Sequence, residues 1–184
     1  MPFWSTPGSE PKRSFRYLFY LQGENLGLQP YVVQTVKKPS FTIEGQVQAK
    51  YIQHTFKYPG RVMWQDVTVT IIDPRGVQGP GDGEDAADTL DLILLNSGYI
   101  APQTAPTGLP DDLTNRSISK AGAIQAIGNP KLNEIDANGV KLNEWTLKNA
   151  YLSNVDFGQL SYNEDSLVTY TLTIAYDYAI YETL

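Results

Sequence analysis

Hydrophobic and polar positions alternate along two stretches of the chain with the period of strands that bury one face and wet the other. Toward the C-terminus, Val168, Tyr170, Leu172, Ile174 and Tyr176 share one side, and Thr169, Thr171, Thr173 and Asp177 the other. Earlier, Met63, Val67, Val69 and Ile71 have one parity and Asp66, Thr68 and Thr70 the opposite one, with Asp73-Pro74 ending the strand. Weaker alternation predicts a first strand over 15–21 and a short one from Tyr31 to Val36. Residues 117–127 and 131–135 read as further strands. Asp136-Ala-Asn-Gly139 is a hairpin turn signal ahead of closing strands over 140–179.

Residues 41–57 also read as β structure, but Gln46, Gln48, Lys50, Gln53 and His54 make the segment too polar for a buried central strand. It predicts half of a long projecting hairpin over 41–73. The turn is expected at Tyr58-Pro59-Gly60-Arg61, where proline presets φ and glycine accepts a positive one. Such a hairpin exceeds what one core can cover, so contacts with other copies of the chain are expected on it, through Gln46, Gln48, Lys50, His54, Phe56, Tyr58, Pro59, Gly60 and Arg61. One helix is predicted over 85–97, with acids in its first turns, Leu90, Ile93 and Leu94 on one face, and Gly98 to close it. Three segments read as irregular: an arm over 1–14, a glycine-rich loop over 76–83 and a proline-rich loop over 100–112. No internal repeat is visible.

A chain of 184 residues suits a single domain. With 14 basic against 20 acidic residues it lacks the basic face that a wrapping nucleic-acid binder uses to release counterions. The absence of cysteine removes disulfides and thiolate chemistry together. No secretory signal is visible at the N-terminus, and the longest apolar run, Leu92-Ile-Leu-Leu95, is far short of the ~18 residues of a membrane span. These features predict a soluble chain with no membrane insertion.

The inventory argues against an enzyme. His54 is the only histidine and lies in a β segment, so a serine–histidine–acid site would have to use it, with no nucleophile elbow in support. Asp156-Phe157-Gly158 copies a kinase tripeptide without the glycine-rich loop, strand lysine or catalytic loop that give it meaning. Asp82, Glu84, Asp85 and Asp88 lack the ligand order of a calcium loop, and Gly79-Pro80-Gly81-Asp82-Gly83 lacks the lysine of a phosphate loop. A carboxylate pair such as Glu164 and Asp165 stays open, because the separation glycoside hydrolysis needs is a three-dimensional fact. No catalytic residue, metal or cofactor is assigned.

The words Trp145-Thr-Leu-Lys-Asn, then Val155-Asp-Phe-Gly-Gln-Leu-Ser-Tyr162, then a strand ending Ala175-Tyr-Asp-Tyr-Ala179, resemble in that order the closing strands of the tail tube proteins of contractile-tailed bacteriophages. The resemblance covers 41–73 and 145–179 well, and the helix and Ser117-Ile-Ser-Lys-Ala-Gly-Ala123 more loosely. The arm and the two irregular loops depart from it. It implies a mainly β fold: an antiparallel β-sandwich or barrel of two packed sheets, one flanking helix and a long hairpin, assembling into hexameric rings. Stacked rings would form the inner tube of a virion's tail, put together in the host cytoplasm. The sheath protein would lie outside, baseplate and tail terminator proteins at the ends, and the tape measure protein and then DNA in the lumen.

Joined inner strands of such a ring enclose a channel. With ~24 strands spaced ~4.8 Å and tilted ~45°, the backbone diameter is roughly 50 Å and the bore about 40 Å, wide enough for duplex DNA. The two polar strand faces fit that bore, and Asp66, Thr68, Thr70, Thr169, Thr171 and Thr173 are the expected lumen lining. The channel is then a passive polar and negative path for genome ejection. Two alternatives accompany this expectation. One is the tube of a headless contractile injection system resembling an R-type bacteriocin. The other is a β-sandwich carbohydrate-binding module using exposed aromatics such as Trp64 and Trp145.

Overall fold

The computed structural model describes residues 11–21, 30–74, 85–100, 117–163 and 165–184. The first ten residues of the arm, the glycine-rich loop, nearly all of the proline-rich loop and Glu164 lie outside these, so the expectations placed on them have no structural counterpart.

Eight strands form two four-stranded antiparallel sheets. Sheet one has the order β1 (Tyr17–Tyr20), β8 (Lys131–Ile135), β9 (Lys141–Lys148), β12 (Tyr178–Thr183). Sheet two runs β10 (Tyr151–Asp156), β11 (Thr169–Ala175), β7 (Val67–Ile72), β2 (Val33–Val36). Neither sheet closes into a barrel. Both contribute to one core, with Phe19, Leu132 and Leu147 from sheet one against Val67, Val69, Ile71, Leu172 and Ile174 from sheet two. The alternation read from the sequence produces this core directly. Tyr170, Leu172 and Ile174 are buried while Thr169, Thr171 and Thr173 between them are not. Each fully buried aliphatic side chain contributes roughly 1.5–3 kcal/mol, so a slip of one residue in β11 is excluded energetically.

The helix α1 spans Ala86–Asn96. Asp85 caps it by accepting from the Ala87 N–H at 2.9 Å, and Gly98, at φ +106°, lets the chain turn away after the Ser97 cap. Ala86, Thr89, Leu90 and Ile93 form its buried face.

A second helix replaces the strand expected over 117–127. α2 covers Lys120–Ile127, capped by Ser119, whose hydroxyl accepts from the Gly122 N–H at 3.0 Å. Alanine at 121, 123 and 126 favours helix, and the buried Ala123 and Ile127 stand one helical turn apart rather than alternating. The protein therefore has two helices among the described residues, packed on each other, with α2 also against β10. Lys120 holds α2 to the strand turns: its Nζ lies 2.9 Å from both oxygens of Asp177, which also accepts from Asn149 at 2.7 Å.

The four remaining strands form the projecting hairpin. β3 (Ser40–Glu44) pairs with β6 (Arg61–Gln65), and β4 (Val47–Tyr51) with β5 (His54–Tyr58). The register is unbroken from Ser40↔Gln65 to Tyr51↔His54, so the turn is at Ile52-Gln53 and not at Tyr58–Arg61. Pro59 and Gly60 instead lie across from Gly45 and Gln46, in an unpaired joint halfway along the arm. A Cβ on Gly60 would fall 1.6 Å from the Glu44 carbonyl oxygen, and Gly45 has φ +74°. The glycines serve a close approach of two strands rather than a chain reversal.

Candidate assembly surfaces

The outward face of sheet two is built by cross-strand register. Asp156, Thr171, Thr70 and Thr35 form one rung across the four strands, and Asn154, Thr173 and Thr68 the next. The Lys37 N–H donates to the Thr68 carbonyl at 2.9 Å, which carries the second rung one residue past β2. Thr68 is exposed, Thr70, Thr169, Thr171 and Thr173 are half-buried on the same face, and Asp66 is exposed just before β7. The structure thus brings five of the six expected lining residues, Thr68, Thr70, Thr169, Thr171 and Thr173, to one surface, and puts Asp66 in the break between β6 and β7. Thr35, Lys37, Asn154 and Asp156 join them, and only the strand order reveals it, because their own segments carry no clean alternation.

Among the described residues, both edges of this sheet, β10 and β2, are unpaired. An all-antiparallel sheet with an even number of strands has edge strands of opposite direction, so β10 of one copy can pair antiparallel with β2 of another. Unpaired edges are an aggregation liability unless something covers them.

The hairpin is the second surface, and it is amphipathic. Phe41, Ile43, Val62 and Trp64 share one face of β3 and β6, while Ser40, Thr42, Glu44, Arg61, Met63 and Gln65 share the other. In β4 and β5 the split is Val47, Ala49, Tyr51, His54, Phe56 and Tyr58 against Gln48, Lys50, Thr55 and Lys57. Of the polar residues that mark the segment in the sequence, Gln48 and Lys50 lie on one face of a two-faced ribbon, whereas His54 falls on the apolar face. Apart from Trp64 and Ser40, every residue of these strands is exposed. A two-stranded ribbon with a bare apolar face is marginal in water on its own.

At the hairpin's root, Trp64 is half-buried, edge-on to Phe41 at 5.3 Å and tilted against Tyr176 at 5.9 Å. Trp145, also half-buried, lies 4.8 Å from Tyr181. Neither indole is the free planar platform that a carbohydrate-binding module needs, which corrects the expectation that both are exposed. Burial pushes the Tyr176 phenol up to about 12, so its hydroxyl remains a donor to the Gln65 carbonyl at 2.9 Å.

Glu134 on β8 is the electrostatic centre of the same region. Its side chain is 10 % exposed and is met by Lys38, in the link from β2 to the hairpin, and by Lys12 at 2.9 Å. The Asn143 amide donates to it at 2.8 Å and to the Tyr181 hydroxyl at 2.8 Å. Burial alone would raise this carboxyl, but Lys38, Lys12 and Asn143 overcome that and hold it at about 2. The hydrogen bond to Glu134 in turn raises the Lys12 ammonium. Among the described residues, no three His, Asp or Glu side chains converge as metal ligands. No helix there is long and apolar enough to cross a membrane.

No protein-family model matches the chain, and no curated protein matches it by sequence. Solved structures do. A chain of the extracellular contractile injection system PVC, solved as the sheath/tube terminator in the extended state, superposes with a TM-score of 0.60 at 14 % identity, covering 95 % of this chain and 98 % of that one. A chain of the anti-feeding prophage tube-terminating cap gives 0.58 at 12 %, covering 95 % and 93 %. One from the PVC sheath–tube complex gives 0.56 at 14 %, covering 95 % and 93 %. The protein has the fold found in these contractile-injection assemblies over nearly its whole length.

Proposed function

We propose that this chain is a structural tube protein of a contractile tail or injection system, forming hexameric rings that stack into a hollow inner tube. The observation that carries this is the four-stranded sheet two, open and polar on its outward face and unpaired at two edges of opposite direction. Six copies joined edge to edge give an all-antiparallel barrel of ~24 strands with a bore of about 40 Å. Asp66, Thr68, Thr70, Thr169, Thr171 and Thr173 line the bore. Apart from Lys37 at the sheet edge, this face offers phosphates only hydroxyls, amides and carboxylates, which release no counterions, so DNA passes with little sticking.

The hairpin supplies the contacts between subunits or rings, its apolar face covered by a second copy. The fold likeness to chains of sheath–tube, cap and terminator assemblies supports a structural rather than catalytic role and sheath and terminator partners. A phage virion, with tape measure protein and then the genome in the lumen, is the leading form of this reading. A headless injection system is favoured by a specific observation, since the solved structures named above belong to an extracellular injection system and to an anti-feeding prophage. Electron microscopy of concentrated protein tests the common core of both. Rings or long tubes are expected, and a strictly monomeric species, even with tube seeds added, overturns it.

A further inference from the structure

The two free edges of sheet two carry opposite charges on the same face. Asp156 stands at the β10 edge, in line with Thr171, Thr70 and Thr35. Lys37 follows β2 at the other edge, in line with Thr68, Thr173 and Asn154. Both are exposed. One Asp156 oxygen accepts from the Gly158 N–H at 2.9 Å, which fixes the carboxylate's direction and leaves its second oxygen open among the described residues. Gly158 is held there at φ +72°, where a Cβ would lie 2.7 Å from the Thr169 carbonyl oxygen. At the other edge, Lys38 is engaged by Glu134, so its neighbour Lys37 is the ammonium that this edge presents outward among the described residues.

The open lengths of the two edges also correspond. The Tyr17 hydroxyl donates to the Gln34 carbonyl at 2.8 Å, closing that end of β2 and leaving its stretch from Thr35 onward. On β10, α2 lies against the strand, whose residues Asn154 and Asp156 stay exposed. We infer that β10 of one subunit pairs with β2 of the next through these stretches, with Asp156 and Lys37 forming a charge pair that sets the register of the seam. The inference rests on the tube reading and deepens it. A lysine stem reaches a carboxylate directly opposite or one diagonal position away, so the pair forms at either placement. An edge that is acidic on one side and basic on the other also disfavours pairing of like edges, β10 with β10 or β2 with β2.

A charge swap tests this. Purified Asp156→Lys, Lys37→Asp and the double swap are compared with wild type and with Asp91→Lys, an equal charge change on the exposed side of α1. Circular dichroism first verifies folding, and sedimentation and electron microscopy then give the assembled fraction. Each single swap is expected to lower that fraction at least about tenfold. The double swap should restore it to within about threefold of wild type, and Asp91→Lys should leave it unchanged. Folded single swaps that assemble like wild type, or a folded double swap that fails to recover, overturn the seam while leaving the tube reading intact. A wild type that never assembles overturns both. Should a swap not fold, Asp156→Asn and Lys37→Gln replace it, and assembly that is as salt-sensitive in these as in wild type overturns the pair.

Discussion

Replacing Glu134 with glutamine removes a charge while keeping the side-chain shape beside Asn143, and the cost follows from its surroundings. The carboxyl is held at about 2 rather than 4.5, a difference equivalent to roughly 3 kcal/mol of preference for the folded state at neutral pH. The Lys12 and Lys38 side chains are 50 % and 63 % exposed, so water screens part of the pairing and rehydrates the ammoniums once the carboxylate is gone. A net loss of about 1–2 kcal/mol results. For a domain of this length that lowers the melting temperature by roughly 2–8 °C.

The sign with pH follows from the depression of the folded-state value. The stabilisation is complete well above the unfolded value of 4.5, declines below it, and is nearly gone once pH falls through about 2. The gap between wild type and Glu134→Gln, read from thermal melts or urea titrations, should therefore be full at pH 7, distinctly smaller at pH 3.5 and nearly closed at pH 2. Other carboxylates also destabilise the protein in acid, but they act alike in both proteins and cancel in the difference. Equal stabilities at pH 7, or a gap as wide at pH 2.5 as at pH 7, would refute the assignment of Glu134 as a paired, ionised carboxylate.

Tyr170→Phe removes the donor that meets Asp73 Oδ2 at 2.6 Å, where Asp73 Oδ1 is already buried with no partner among the described residues. A loss of about 1–3 kcal/mol is expected in urea titrations, and a change under ~0.3 kcal/mol would mean that water replaces the phenol. Gly60→Ala places a methyl against the Glu44 carbonyl, so hydrogen exchange should quicken through 40–65 while the core strands keep their protection. Unchanged exchange would place Gly60 in a roomier joint. Replacing Thr68, Thr70 and Thr171 with lysine should leave the monomer folded, because these side chains lie on the open face of sheet two. Tubes built from it should slow DNA passage at low salt and recover as salt is raised, whereas loss of folding would show those threonines to be buried.

The parts of the fold legible in the sequence are those where local pattern and tertiary environment agree. β7 and β11 alternate because each has one face on the core, and they pair directly, Thr171 with Thr70 and Thr173 with Thr68. α1 stands where its apolar face and Gly98 put it in the sequence, with Asp85, read as its first residue, serving instead as the cap before it. The hairpin turn was not legible. Pro59-Gly60 has stronger turn chemistry than Ile52-Gln53, yet aromatic cross-strand neighbours such as Val47 with Tyr58 and Tyr51 with His54 fix a register that puts Ile52 at φ +54°. A β-branched residue in that conformation is rarely chosen by local preference. The stretch 117–127 reads as strand because an eight-residue helix rich in alanine shows little hydrophobic period in the sequence, and its Ser119 cap and its contacts with α1 and β10 become visible only in the fold.

What the sequence hid most completely is the sidedness of the hairpin. Listed in order, Gln46, Gln48 and Lys50 look like a solvated strand, and their intervening partners Val47, Ala49 and Tyr51 look incidental. Paired with the returning chain, the apolar set gains Phe56 and Tyr58 and becomes a continuous surface, while the polar set gains Thr55 and Lys57. The same pairing separates anchor from blade. Trp64 binds the hairpin's root to Tyr176 and the core, and Lys38 ties the entering chain to Glu134, whereas beyond the glycine joint every residue of the two strands is exposed among the described residues. A ribbon fixed at its base and unsupported along its length leaves its apolar face to be covered from outside the subunit, and the open edges of sheet two make the same demand. One protomer is thus left with two kinds of unmet surface, a polar sheet with free edges and an apolar blade. A closed, stacked assembly of identical copies satisfies both without any further component.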